Sequence, residues 1–192
     1  LFKDQSTFNG DISSWNVERT KNMSGMFQNA ALFNQNLELW DVSEVTDMSD
    51  MFKEARTFNQ ALNDWDTGKV TTMANMFSDA SSFNSEISNW DVKSVTDMSG
   101  MFRGATSFDT QIGLWHVEDV INMSAMFEGA VVFDQDIGLW NVVSVTDMSN
   151  MFKNATLFNQ HLGVWPVTMV SDMSSMFQGA STFDNDDEDF NE

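Results

Sequence analysis

The chain has 192 residues, a formal net charge of −20 and an isoelectric point near 4.1. So acidic a surface repels nucleic-acid phosphates and anionic lipid heads, which sets both aside as partners and leaves basic ligands or divalent cations as its electrostatic complements. The absence of Cys excludes disulfide staples, thiolate zinc sites and thiol catalysis, while 42% apolar residues, with 17 Phe and 7 Trp, supply enough burial to offset chain entropy.

From the N-terminus, LFKDQSTFNG reads as neither a signal nor a transit peptide, and no apolar run reaches the roughly 18 residues of a membrane span. No direct membrane insertion is expected of this segment. Leu1 and Phe2 occupy the places later held by Met26 and Phe27, so residues 1–14 form a partial repeat and the chain reads as a piece of a longer protein. Full repeats then start at Trp15, Trp40, Trp65, Trp90, Trp115, Trp140 and Trp165, an unbroken spacing of 25. With Trp as position 1, the consensus is W-D-V-x-x-V-T-D-M-S-x-M-F-x-x-A-x-x-F-N-x-x-I-x-x. The pattern ends in an acidic segment, 184–192, where Asp187 replaces the inward Ile or Leu and Phe190 stands in the place of an eighth Trp. One repeat domain over 1–192 is expected.

A period of 25 is too short for paired-helix repeats, which need about 33 residues, and falls within the roughly 20–29 of leucine-rich repeats. Ile87-x-x-Trp90-x-Val92 has the spacing of a short inward-facing strand, and Met101, Phe102, Ala105 and Phe108 are spaced like one face of a helical turn. The expected fold is therefore an α/β repeat solenoid: a leucine-rich-repeat-like right-handed coil with one short parallel strand and one short helical or 3-10 turn per repeat. Asp at position 8 or Ser at position 10 is placed to cap that turn, and Asn or Asp at position 20 to satisfy the returning loop.

The segment WDVSEVTDMSDMFKEARTFNQAL, residues 40–62, and its copies closely resemble the BspA-like repeats of surface proteins from mycoplasmas, other bacteria and marine microalgae. The resemblance covers almost the whole chain and implies surface display and adhesion. It brings no catalytic residues with it.

Residue chemistry points the same way. His116 and His161 occupy unrelated repeat positions with no metal-ligand spacing, and the repeated Ser has no adjacent base, so no enzyme activity and no organic cofactor are expected. The Met pairs and the Trp column alternate with other inward residues and read as core rather than as copper or sugar sites. Stacked Asp residues at positions 2 and 8 leave Ca²⁺ as a possible ligand. Function should lie where the repeat varies: Asp41, Asp66 and Asp91 in the early coils, then Leu114, Leu139 and Val164 in the later ones, together forming a partner-binding face. Asn22, Asn122 and Asn154 head N-x-S/T sequons and are candidate glycosylation sites. The expected function is a non-catalytic extracellular or cell-surface scaffold for adhesion to a protein or polysaccharide. The alternative is a spacer or filament subunit in which copies of the chain stack end to end.

Overall fold

A computed structural model describes residues 1–184, so the expectations for Asp187 and Phe190 lie outside the described residues. Each 25-residue unit is one coil, and each coil is a chain of tight turns. In the coil that starts at Trp65, i→i−3 backbone bonds run from Val70 N–H to Thr67 O (2.9 Å), Met76 to Met73 (3.1 Å), Ser78 to Asn75 (3.0 Å), Ala80 to Phe77 (3.0 Å), and Phe83 to Ala80 (3.0 Å). Trp90 N–H to Ile87 O (3.2 Å) closes it.

The N–H groups between these turns bind the next coil. Met73, Asn75, Phe77 and Asp79 donate to the carbonyls of Asp97, Ser99, Met101 and Arg103 at 3.0, 2.8, 2.9 and 2.6 Å, and the same set recurs along the stack. Aiming alternate N–H groups at the next coil while those between them close i→i−3 turns requires a backbone that reverses hand, and positions 11 and 15 do so: φ is +54° at Asn75 and +58° at Asp79. Glycine, Asn and Asp tolerate this left-handed region best, and they fill position 11 at Gly25, Asp50, Asn75, Gly100 and Asn150. Position 15 holds Gly104, Gly129 and Gly179, Asn29, Asp79 and Asn154, with Glu54 the one long side chain, and a Cβ on Gly104 would stand 2.3 Å from Asp79 Oδ1.

This geometry overturns the α/β solenoid of leucine-rich-repeat type. The described residues contain no helix, and their only β pairing is an isolated parallel bridge per coil junction at position 8, from Asn22↔Asp47 to Asp147↔Asp172. The expected strand at Ile87–Val92 is a turn closing at Trp90, followed by another between Val92 and Val95. The expected helical turn at 99–108 cannot form because left-handed Gly100 and Gly104 interrupt it and its alternate N–H groups are committed to the next coil.

Side chains complete the polar accounting. The position-8 residue accepts the N–H two places on, as in Ser49 N–H to Asp47 Oδ1 (2.9 Å) and Ser124 N–H to Asn122 Oδ1 (2.9 Å), so it caps a turn rather than a helix. At position 20 each Asn or Asp accepts the N–H of its counterpart one coil later, in an unbroken series from Asn9 through Asn34, Asn59, Asn84, Asp109, Asp134 and Asn159 to Asp184. Most of these oxygens take a second bond from the following residue of the next coil, such as Gln60 Nε2 to Asn34 Oδ1 at 2.9 Å.

The apolar positions line the inside. Phe77 stacks on Phe83 within its coil at 3.8 Å and on Phe102 of the next at 5.8 Å; Trp90 lies parallel to Trp65 and Trp115 at 6.3 and 6.4 Å. Met73, Met76 and Ala80 are fully buried beside them. The indole N–H of Trp90 donates to Leu62 O, 28 residues earlier (2.8 Å), so the one polar side-chain atom of the largest core residue is satisfied. Trp15 has no such partner and is 42% exposed, whereas the later tryptophans are buried.

Trp90→Ala should lower the unfolding free energy by about 3 to 5 kcal/mol, the range for truncating a large buried aromatic. Urea unfolding read by the remaining tryptophans tests this; an unchanged midpoint would place the column outside the core. A second expectation concerns acid. The hydroxyl and the backbone N–H of Ser43 hold Asp41 below its ordinary value of 3.8, and the backbone and side chain of Ser174 do the same for Asp172. Lowered folded-state values stabilise the protein above the unfolded value, and that contribution disappears as pH falls through the folded one. Thermal midpoints should therefore drop below pH 3.8. Asp41→Asn with Asp172→Asn keeps both acceptors and should make that drop shallower, even though the loss of repulsion on protonation affects both proteins. An identical acid profile would contradict the turn-cap role.

Candidate functional site

Side chains that the core and turns leave free form columns along the stack. Position 25 lies just before each Trp, inside the turn that ends at Trp, and its side chain projects outward. Leu114, Leu139 and Val164 occupy it in three consecutive coils with 85, 82 and 67% exposure. The structure thus brings these three together as an unbroken apolar row. Leu39 occupies the same position, 87% exposed, but Asp64 and Asn89 separate it from the row. It was legible from its register and was missed because the early coils look acidic. Ile121 and Val143 add exposed apolar surface in the same coils.

The row is bounded by two open depressions. One, of about 350 Å³, is lined by Ser88, Gln111, Gly113, Gln135 and Asp136, which precede position 25 in their coils. The other, of about 390 Å³, is lined by His116, Glu118 and Asn141, which follow it. Leu114 and Leu139 border both. The glycines before the row are structural requirements: a Cβ on Gly113 would meet Asp136 O at 2.2 Å, and one on Gly138 would meet His161 O at 2.6 Å. Gly-Leu in these coils therefore lets neighbouring backbones close up while leaving no side chain beside the leucine.

Asp41, Asp66 and Asp91 form a separate column at position 2, all exposed. Each Oδ1 accepts the N–H two residues on, from Ser43, Gly68 and Lys93, all at 3.1 Å. Lys69 pairs with Glu44 beside this column, which raises the lysine and lowers the carboxylate from their ordinary values. The column continues as His116 and Asn141 beside the apolar row. There His116 Nδ1 lies 3.3 Å from Glu118 Oε1. Glu118 is held low, chiefly by its own backbone N–H and, less, by His116.

At position 8, Asp47, Asp97, Asp147 and Asp172 each spend Oδ1 on a turn, and Asn22 Nδ2 donates to Asp47 Oδ2 at 3.0 Å. Among the described residues no three His, Asp or Glu side chains converge as a metal-ligand set. The sequons differ in setting. Asn22 and Asn122 use their carboxamides to close turns onto Ser24 and Ser124, with Asn122 half-buried, whereas Asn154 is exposed at a left-handed position, φ +59°. No described helix is long and apolar enough to cross a membrane.

No curated protein and no solved structure matches the chain. A family profile does match, over residues 1–90 and again over 80–190, and so spans nearly all of the repeats. The chain therefore belongs to the repeat family described as Mycoplasma protein of unknown function, DUF285.

Proposed function

We propose that this chain is a non-catalytic repeat scaffold, displayed outside the cell or on its surface, that holds the strip around position 25 against a protein or polysaccharide partner. The observation that carries the reading is the unbroken row Leu114, Leu139 and Val164, exposed on a chain whose other large apolar residues are mostly buried. Removing such a row from water is a favourable contribution to docking, and a rigid stack presents it with little ordering cost. The resemblance of the repeats to BspA-like surface proteins supports display and adhesion. The acidic early coils, with Asp41, Asp66 and Asp91, would then steer a complementary partner toward the row.

A spacer or filament subunit is the second reading. It is favoured by the polarity of the stack, in which the N–H groups of positions 9, 11, 13 and 15 all point toward the following coil. Head-to-tail addition of coils follows naturally from that direction.

Arrays of surface glycans and peptides, probed with and without Ca²⁺, test the first reading. Leu114→Asp with Leu139→Asp should abolish capture without changing the thermal midpoint, since both side chains stand in solvent. Undiminished capture by the folded double variant would sink the assignment of this face.

A further inference from the structure

We infer that the occupant of the position-25 row is a polypeptide segment bearing aliphatic side chains flanked by basic ones. The inference rests on the scaffold reading above and narrows its partner.

Three observations carry it. The first is the chemistry of the row. Leu114, Leu139 and Val164 are aliphatic, and no exposed indole or phenyl ring stands beside them to form a sugar platform: Trp115, Trp140 and Trp165 are buried, the ring nearby in solvent is the His116 imidazole paired with Glu118, and the one exposed Trp is Trp15, at the far end of the described stack. Sugar faces are held by aromatic platforms together with dense hydrogen bonding. A bare aliphatic ridge would strip water from hydroxyls without replacing it. Leu, Ile or Val side chains of a polypeptide lose nothing by that contact.

The second is the placement of charge. A carboxylate stands in each depression bordering Leu114 and Leu139: Asp136 on one side and Glu118 on the other. Asp136 accepts the N–H of Gly138 (2.9 Å) and forms no ion pair among the described residues. Among the described residues Glu118 has only the exposed His116 as its ion-pair partner. Basic side chains on either side of an aliphatic residue would therefore meet a carboxylate in each depression, whereas acidic ones would be repelled from both.

The third is the backbone. Gly113 lines both depressions and leaves no side chain on the flank of Leu114, so they reach down to main-chain level there. Gln111 and Gln135 line the first of them and offer amide donors and acceptors suited to an extended peptide backbone.

Fluorescence anisotropy at physiological salt tests this with four labelled probes: an alternating Lys–Leu octapeptide, its Glu–Leu and Lys–Ser counterparts, and the uncharged sugar maltohexaose. The Lys–Leu peptide should bind saturably and the other three at least about tenfold more weakly. Leu114→Ser with Leu139→Ser should weaken Lys–Leu binding by roughly tenfold, and Glu118→Gln with Asp136→Asn by about fivefold. Glu38→Gln with Asp64→Asn removes two equal charges from the acidic early coils, away from the row, and should change affinity by less than about twofold. Equal binding of the Lys–Ser peptide, or an equal loss in the Glu38/Asp64 variant, would reduce the effect to diffuse attraction by a polyanion and overturn the inference. So would the absence of Lys–Leu binding. Leucine-dependent binding of maltohexaose would also overturn it while leaving the scaffold reading intact, because that reading requires the row to be used and not that its occupant be a peptide.

Discussion

The structure depends on one backbone device. Alternate N–H groups across positions 9 to 15 are turned toward the next coil, those of positions 12 and 14 close i→i−3 turns within their own, and that of position 10 is taken by the position-8 side chain. Left-handed residues at positions 11 and 15 make this alternation possible, and neither a helix nor a strand can supply it. Almost every other regularity follows. A donor in one coil must find its carbonyl 24 residues on, so the period is fixed and an inserted residue would break the register at both of its neighbours. That explains why seven tryptophans keep an unbroken spacing.

The side chains act in support of this frame. Tight turns leave N–H groups that the main chain does not satisfy, and Asx residues at positions 2, 8 and 22 accept them, as Asp91, Asp97 and Asp136 do. Much of the net negative charge is thereby accounted for as turn chemistry. The position-20 series ties coil to coil where no regular main-chain ladder runs, and it accepts Asn and Asp equally because only an oxygen acceptor is required. Inside, planar side chains stacked between neighbouring coils fill a core with no secondary-structure layers to separate.

How much of this was legible in the sequence varies with the physics. The period, the core positions and the capping role of Asp at position 8 could be read because burial and acceptor chemistry leave residue types at fixed places. The strand and helix could not be distinguished from turns: an apolar residue every third place, as at Met98, Met101 and Phe102-x-x-Ala105-x-x-Phe108, arises from successive i→i−3 turns as readily as from a helical face. The discriminating signal was nonetheless present in the preponderance of Gly, Asn and Asp at positions 11 and 15, broken at Glu54, Ala125 and Ser175, where a helix would favour long or small helix formers throughout. Of the candidate site, the row Leu114, Leu139 and Val164 and its exposure were readable from register. The bordering depressions were not, because they result from the close approach of coils that Gly113 and Gly138 permit.

The scaffold and the proposed binding strip are thus written at different positions. Repeated residues determine the stack, and position 25 is free to vary because its side chain points out of the turn into solvent and no core contact uses it. The claim on which both rest is the coil-to-coil bonding, and scalar couplings transmitted through hydrogen bonds in an isotopically labelled sample test it directly. Couplings are expected from the amide nitrogens of Asn75, Phe77 and Asp79 to the carbonyl carbons of Ser99, Met101 and Arg103. Couplings from each amide to the carbonyl four residues earlier would show a helical turn instead and would contradict the account.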